Sequence, residues 1–128
     1  MSTCVLDTGA LIALERDDRA MWARVLVAAS SKVDLVVPST ALAQAWRGGP
    51  TQARLARALA HCTVAPFDPL AREVGELCGR AKTTDVCDAH VALVASRSGD
   101  WLCTSDIGDM KALLAECRGR RRPVLVHC

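Results

Sequence analysis

A chain of 128 residues, 51% apolar and 23% charged, is long enough for one domain with an ordinary core and too apolar to be disordered or fibrous. The formal net charge of +2 is compatible with a nucleic-acid partner but too small to argue for one.

In chain order, Cys4-Val5-Leu6 reads as a short buried strand, Asp7-Thr8-Gly9 as a tight turn, and Ala10 to Leu14 as a buried helix. After the polar connector Glu15 to Arg19, Trp22, Val25, Leu26 and Ala29 recur at i, i+3, i+4, i+7, the stripe of an amphipathic helix. Leu35-Val36-Val37 is a second strand. Ser39 or Thr40 can cap the next helix, expected to run to Arg47 and stop at Gly48-Gly49-Pro50. Leu55, Leu59 and Cys62 mark a helix whose exposed face carries Arg54 and Arg57, and Thr63-Val64-Ala65 is a third strand.

Leu70, Val74, Leu77, Cys78 and Ala81 share one helical face. Thr83-Thr84-Asp85 opens a helix that is apolar on every side from Val91 to Ala95, so it should be buried. Trp101-Leu102-Cys103 is a fourth strand with Thr104-Ser105-Asp106 as its exit. Met110, Leu113, Leu114 and Cys117 line a last helix, and Val124-Leu125-Val126 is a fifth strand. Strands alternate with helices and lack hairpin turns. The expected class is therefore α/β: a single domain, residues 1–128, with an open parallel five-stranded sheet and helices on both faces.

The seven cysteines are odd in number, form no Cys-x-x-Cys pair and sit mostly in apolar runs. They suit buried, reduced thiols better than a disulfide frame, a zinc site or a catalytic nucleophile. The start carries no basic-then-apolar leader pattern, and no apolar run reaches about 18 residues, so a cytoplasmic protein without a membrane partner is expected.

Aspartates recur at turns and helix starts: Asp7 after the first strand, Asp85 and Asp88 at the buried helix, Asp106 and Asp109 after the fourth strand. In a doubly wound sheet, strand exits and a helix start can converge on one rim. Carboxylates gathered there repel one another unless a cation sits between them. Hard oxygen donors select Mg²⁺ or Mn²⁺, which support phosphodiester hydrolysis. The competing reading is helix capping, in which Asp7, Asp85 and Asp106 are N-caps and Asp88 and Asp109 favour the helix dipole. Each cap is plausible singly. Jointly they are weaker, since Ser or Thr would serve as well.

Val5 to Ala13, Val37-Pro38-Ser39, Asp85-Val86-Cys87-Asp88-Ala89 and Thr104 to Asp109 occur in this order, and as a set they resemble the PIN domain, specifically the small VapC-type toxins of toxin–antitoxin pairs. The resemblance implies an Mg²⁺- or Mn²⁺-dependent ribonuclease. Asp7, Asp88 and Asp106 would be its catalytic, metal-binding acids, with Asp109 as a further ligand. It also implies an RNA substrate, a VapB-type antitoxin that inhibits, and a homodimer. One departure stands out: where the family usually has a helix glutamate, this chain has Gln44. Gln44 and Asp85 are thus secondary candidates for the metal set.

Gln44 also motivates an alternative of another class, a catalytically silent PIN fold that binds RNA or a partner. Among basic residues, Arg47 is the candidate substrate contact, with Arg54 and Arg57 beside it. The run Arg118-Gly119-Arg120-Arg121-Arg122 reads as a solvated loop. His90, two residues after Asp88, points away from it on a helix and is expected to be structural or at the surface. Phosphate transfer through Asp7 fits poorly: Gly9 stands where a dehalogenase-type site needs an acid, and no acidic pair precedes the strand-end Asp as in receiver domains. A Gly-x-Gly-x-x-Gly nucleotide loop is missing as well.

Overall fold

A computed structural model describes residues 2–119 and 121–128; Arg120 of the basic run lies outside the described residues. Five strands form one sheet: β1 (Ser2–Leu6), β2 (Val33–Pro38), β3 (Cys62–Ala65), β4 (Trp101–Thr104) and β5 (Val124–His127). Their order is β3-β2-β1-β4-β5, and every neighbouring pair is parallel, as expected from the alternation of strands and helices. The helices are α1 (Thr8–Glu15), α2 (Arg19–Ser30), α3 (Ser39–Ala45), α4 (Ala53–Leu59), α5 (Ala71–Ala81), α6 (Val86–Ser98) and α7 (Ile107–Glu116).

The sheet separates two apolar layers. Successive residues of β1 point to opposite faces, so Cys4 and Leu6 join the layer under α1, α2 and α4, while Val5 joins the layer under α5, α6 and α7. Helix α6 is buried continuously from Ala89 to Ser96, which accounts for its uniformly apolar sequence. All seven cysteines are free, and Cys4, Cys78, Cys103 and Cys117 are buried. Among the described residues, no helix is long and apolar enough to cross a membrane.

Four local expectations are corrected. Neither Ser39 nor Thr40 caps α3: Pro38 stands at its N-cap without a side-chain bond, because Ser39 Oγ accepts from Phe67 N and Thr40 Oγ1 meets His90 Nδ1 instead. Helix α2 buries Met21, Val25 and Ala28, whereas Leu26 is 57% exposed. The helix is apolar on several sides, and packing chose a stripe one residue out of phase with the expected one. Cys62 opens β3 rather than closing α4, because its backbone pairs with Leu35 of β2. Helix α3 ends at Ala45, short of Arg47: the buried Gln52 side chain accepts from the Arg47 and Gly48 N–H groups and donates to the Ala45 carbonyl and to Glu15, folding the chain out of the helix.

With β1 at the centre, the chain winds outward to β2 and β3 on one side, then to β4 and β5 on the other. The switch in direction lies between β1 and β4, where the connections leave the strand ends on opposite sides and open a crevice. Asp7 follows one strand and Asp106 lies beyond the other.

Candidate metal centre at the strand ends

Asp7 is held at that crevice by backbone and side chain together. Its N–H donates to Cys103 O of β4 at 3.1 Å, extending the sheet by one bond. Its Oδ1 accepts from Ala10 N at 2.9 Å and caps α1. The residue is only 4% exposed. Burial pushes its carboxyl above the ordinary range, while bonds from the Thr104 hydroxyl and the Ala10, Ser105 and Gly9 N–H groups work against that rise. A buried carboxylate with this many donors is firmly oriented. Gly9 lets the two exits meet, since a Cβ there would lie 2.6 Å from Ser105 Cβ.

Asp85 caps α6 by accepting from Asp88 N at 2.9 Å, and Asp106 caps α7 by accepting from Asp109 N at 3.1 Å. The capping reading therefore holds geometrically at Asp7, Asp85 and Asp106. It does not compete with a site, because each cap uses one carboxylate oxygen, Oδ1, of the pair.

The acids also act on one another. Asp88 is pushed up to about 7, first by burial, then by the Asp85 carboxylate and by the charges of Asp7 and Asp109. Asp109 is raised by its contact with Asp106 and by the charge of Asp85. Asp7, Asp85, Asp88 and Asp109 thus share one field, with Asp106 joined through Asp109. A cleft of about 170 Å³ is lined by Thr83, Asp85, Asp88, Asp109 and Leu113 among others. Among the described residues, the ion pairs are Arg54–Asp17, Arg97–Glu73 and Arg121–Asp100, and none of them neutralises these acids.

Two residues at this rim, Thr104 and Thr8, and one away from it, Gln52, were not singled out by sequence reasoning. Thr104 is fully buried; its Oγ1 accepts from Asp106 N at 3.0 Å, and its hydroxyl bonds to Asp7, so it ties the two strand exits together. A Thr two residues before an Asp at a strand exit is a turn signal that could have flagged it. Thr8 Oγ1 donates to Gln44 Oε1 at 2.7 Å and lies 3.6 Å from Cys87 Sγ, linking α1, α3 and α6. Gln52 shapes the end of α3, and nothing in its sequence context distinguishes it from a surface glutamine.

His90 is structural, as one of its two expected readings held, but it is fully buried rather than at the surface. Its Nδ1 is 2.8 Å from Thr40 Oγ1 and its ring packs edge-on against Phe67. Arg47 lies past the end of α3, where its guanidinium donates to the Ala43 and Trp46 carbonyls. A roomier apolar cavity of about 400 Å³, lined by Met21, Arg24, Val27 and Trp101 among others, includes no carboxylate.

Among the described residues, no three His, Cys, Asp or Glu side chains form a ready-made cage for a metal ion. Magnesium needs none. It usually takes one or two carboxylates, keeps waters and accepts phosphate oxygens from its substrate. Hard oxygen donors that repel one another and, among the described residues, form no ion pair fit such an ion.

No protein-family profile matches the chain, and no curated protein matches it by sequence. Among solved structures, it is similar to a chain of the crystal structure of VapBC2 from Rickettsia felis bound to a DNA fragment from their promoter. The TM-score is 0.69 and the identity 15%, with 98% of each chain covered. The likeness is one of fold: over nearly its whole length, this chain is built as the PIN-like α/β domain of that structure is.

Proposed function

We propose that this protein is a VapC-like endoribonuclease that hydrolyses RNA phosphodiester bonds with Mg²⁺ or Mn²⁺. A cognate VapB-type antitoxin would neutralise it, and the active species in the cytoplasm would be a homodimer. The observation that carries the reading is the gathering of Asp7, Asp85, Asp88 and Asp109 at one rim, where burial and the neighbouring carboxylates raise Asp88 to about 7 and, among the described residues, no ion pair neutralises them. The fold likeness to a VapBC2 structure adds support of a coarser kind.

Asp7, Asp88 and Asp106 would hold the cation, with Asp109 as a further ligand. Such an ion supplies charge that activates a water and stabilises the leaving oxygen. The chain's own residues prepare this. Asp7 is fixed by its cap bond and by the end of β1, and Thr104 holds the Asp106 turn against it. Asp85 caps α6 through one oxygen and adds negative potential beside Asp88. Burial and its acidic neighbours raise the Asp88 carboxyl to about 7, so a bound cation would displace a proton from it. Arg47 is exposed and lies outside the acid cluster, where a guanidinium could meet the RNA backbone without displacing the cation.

The test is cleavage of total RNA by the purified protein in Mg²⁺ or Mn²⁺, then in EDTA, beside Asp7→Asn. The expected result is metal-dependent cutting that falls at least about 100-fold in the variant. Equal cutting by both proteins would remove Asp7 from the centre.

A second reading, a silent PIN fold that binds RNA or a partner, draws on Gln44 standing where a glutamate would add charge. RNA binding without cutting in either metal would favour it.

A further inference from the structure

Gln44 is exposed on α3, and its Oε1 is already engaged by the Thr8 hydroxyl at 2.7 Å. Thr8 follows Asp7 directly, and its Oγ1 also lies against Cys87, the residue before Asp88. The amide is therefore held by a residue that adjoins Asp7 in sequence and touches the neighbour of Asp88. With one lone pair of the carbonyl oxygen taken by Thr8, the end of the amide turned away from Thr8 is the NH₂, which carries two donors and no lone pair for a metal. A cation there would face donor hydrogens, whereas a phosphate oxygen would be welcomed. The position is suited to this chemistry. A lysine or arginine would pair with the aspartates and compete with a cation, and a carboxylate would repel RNA; a neutral amide does neither.

We propose that Gln44 donates to a phosphodiester oxygen of single-stranded RNA and is not a metal ligand, and that Thr8 is a positioning residue fixing the orientation of the amide. The inference rests on the ribonuclease reading but is tested apart from it. A fluorescein-labelled single-stranded RNA of mixed sequence is titrated in Ca²⁺ and read by anisotropy. Mn²⁺ binding is read in parallel by electron paramagnetic resonance. Gln44→Ala and Thr8→Val should each weaken RNA binding about three- to tenfold, the loss of one hydrogen bond. Their double variant should be no weaker than either alone, because both remove the same contact. Thr8→Ser should restore binding, and Gln44→Ala should leave Mn²⁺ affinity unchanged. In cleavage the loss should fall on KM rather than kcat.

Gln44→Glu, which removes the donor and adds charge, should bind RNA less tightly still. Weaker Mn²⁺ binding by Gln44→Ala with RNA affinity kept would overturn the inference, as would tighter RNA binding by Gln44→Glu. If the wild-type protein cuts RNA but Gln44→Ala binds it normally, the inference falls and the nuclease stands. If the wild type binds RNA through Gln44 but cuts none in Mg²⁺ or Mn²⁺, the nuclease falls and the inference stands.

Discussion

Asp7 carries two duties at once, and they separate by substitution. Asparagine caps a helix about as well as aspartate, whereas alanine costs about 1 kcal/mol. Asp7→Asn keeps the cap oxygen but turns an NH₂ toward donors the carboxylate accepted from, so it should lower the melting temperature less than Asp7→Ala while both lose cleavage; thermal melts beside the cleavage assay check this. Asp88 gives a pH prediction. Its folded pKa of about 7 lies above the ordinary value of 3.8, so the folded state holds a proton that the unfolded state has released. Stability from this group is present below about pH 4 and is lost as pH rises through about 7. Metal-free protein should thus melt higher at pH 6 than at pH 8. Asp88→Asn should raise the unfolding free energy at pH 8 by about 1–2 kcal/mol, since solvent around this half-buried group screens the full shift.

At the scale of elements, the rim depends on how closely the β1 and β4 exits approach. Gly9→Ala would drive a methyl into Ser105 and should cost about 1–3 kcal/mol, by overpacking, in denaturant melts. Because Ser105 precedes Asp106, the same change should reduce cleavage by more than the stability loss explains. On the other side of the sheet, the Thr40–His90 contact joins α3 to α6. The helix bearing Gln44 is thereby braced against the helix bearing Asp88.

At the scale of the molecule, the acids are a source of instability that a cation should remove. Mn²⁺ at about 100 times its dissociation constant should stabilise the fold by about 2.7 kcal/mol, and EDTA should reverse the gain. Binding displaces the Asp88 proton, so Mn²⁺ affinity should fall as pH drops below about 7, the reverse of the metal-free stability trend. Calorimetry across that range reads the sign directly.

Much of this was legible in the sequence because it is local. Short apolar runs broken by turn residues gave all five strands, and the uniform apolarity of Val91 to Ala95 marked the buried helix. Asp7, Asp85 and Asp106 stand as caps for the same local reason: a side chain reaches its own backbone three residues on. What the acids do to one another was not local. Asp88 responds to Asp7 and Asp109, far from it along the chain, and only the strand order β3-β2-β1-β4-β5 brings those three together. The phase of α2 and the burial of His90 and Thr104 belong to the same kind, since several apolar stripes were open to α2 and packing selected one. By itself the sequence determined which segments are strands and helices and that Asp7, Asp85 and Asp106 cap, because those preferences act within a few residues; the expected Ser39 or Thr40 cap of α3 failed because tertiary partners took both hydroxyls. Only the tertiary structure decided which carboxylates share a field and that the amide oxygen of Gln44 already accepts from Thr8, because charge and hydrogen bonding act through space.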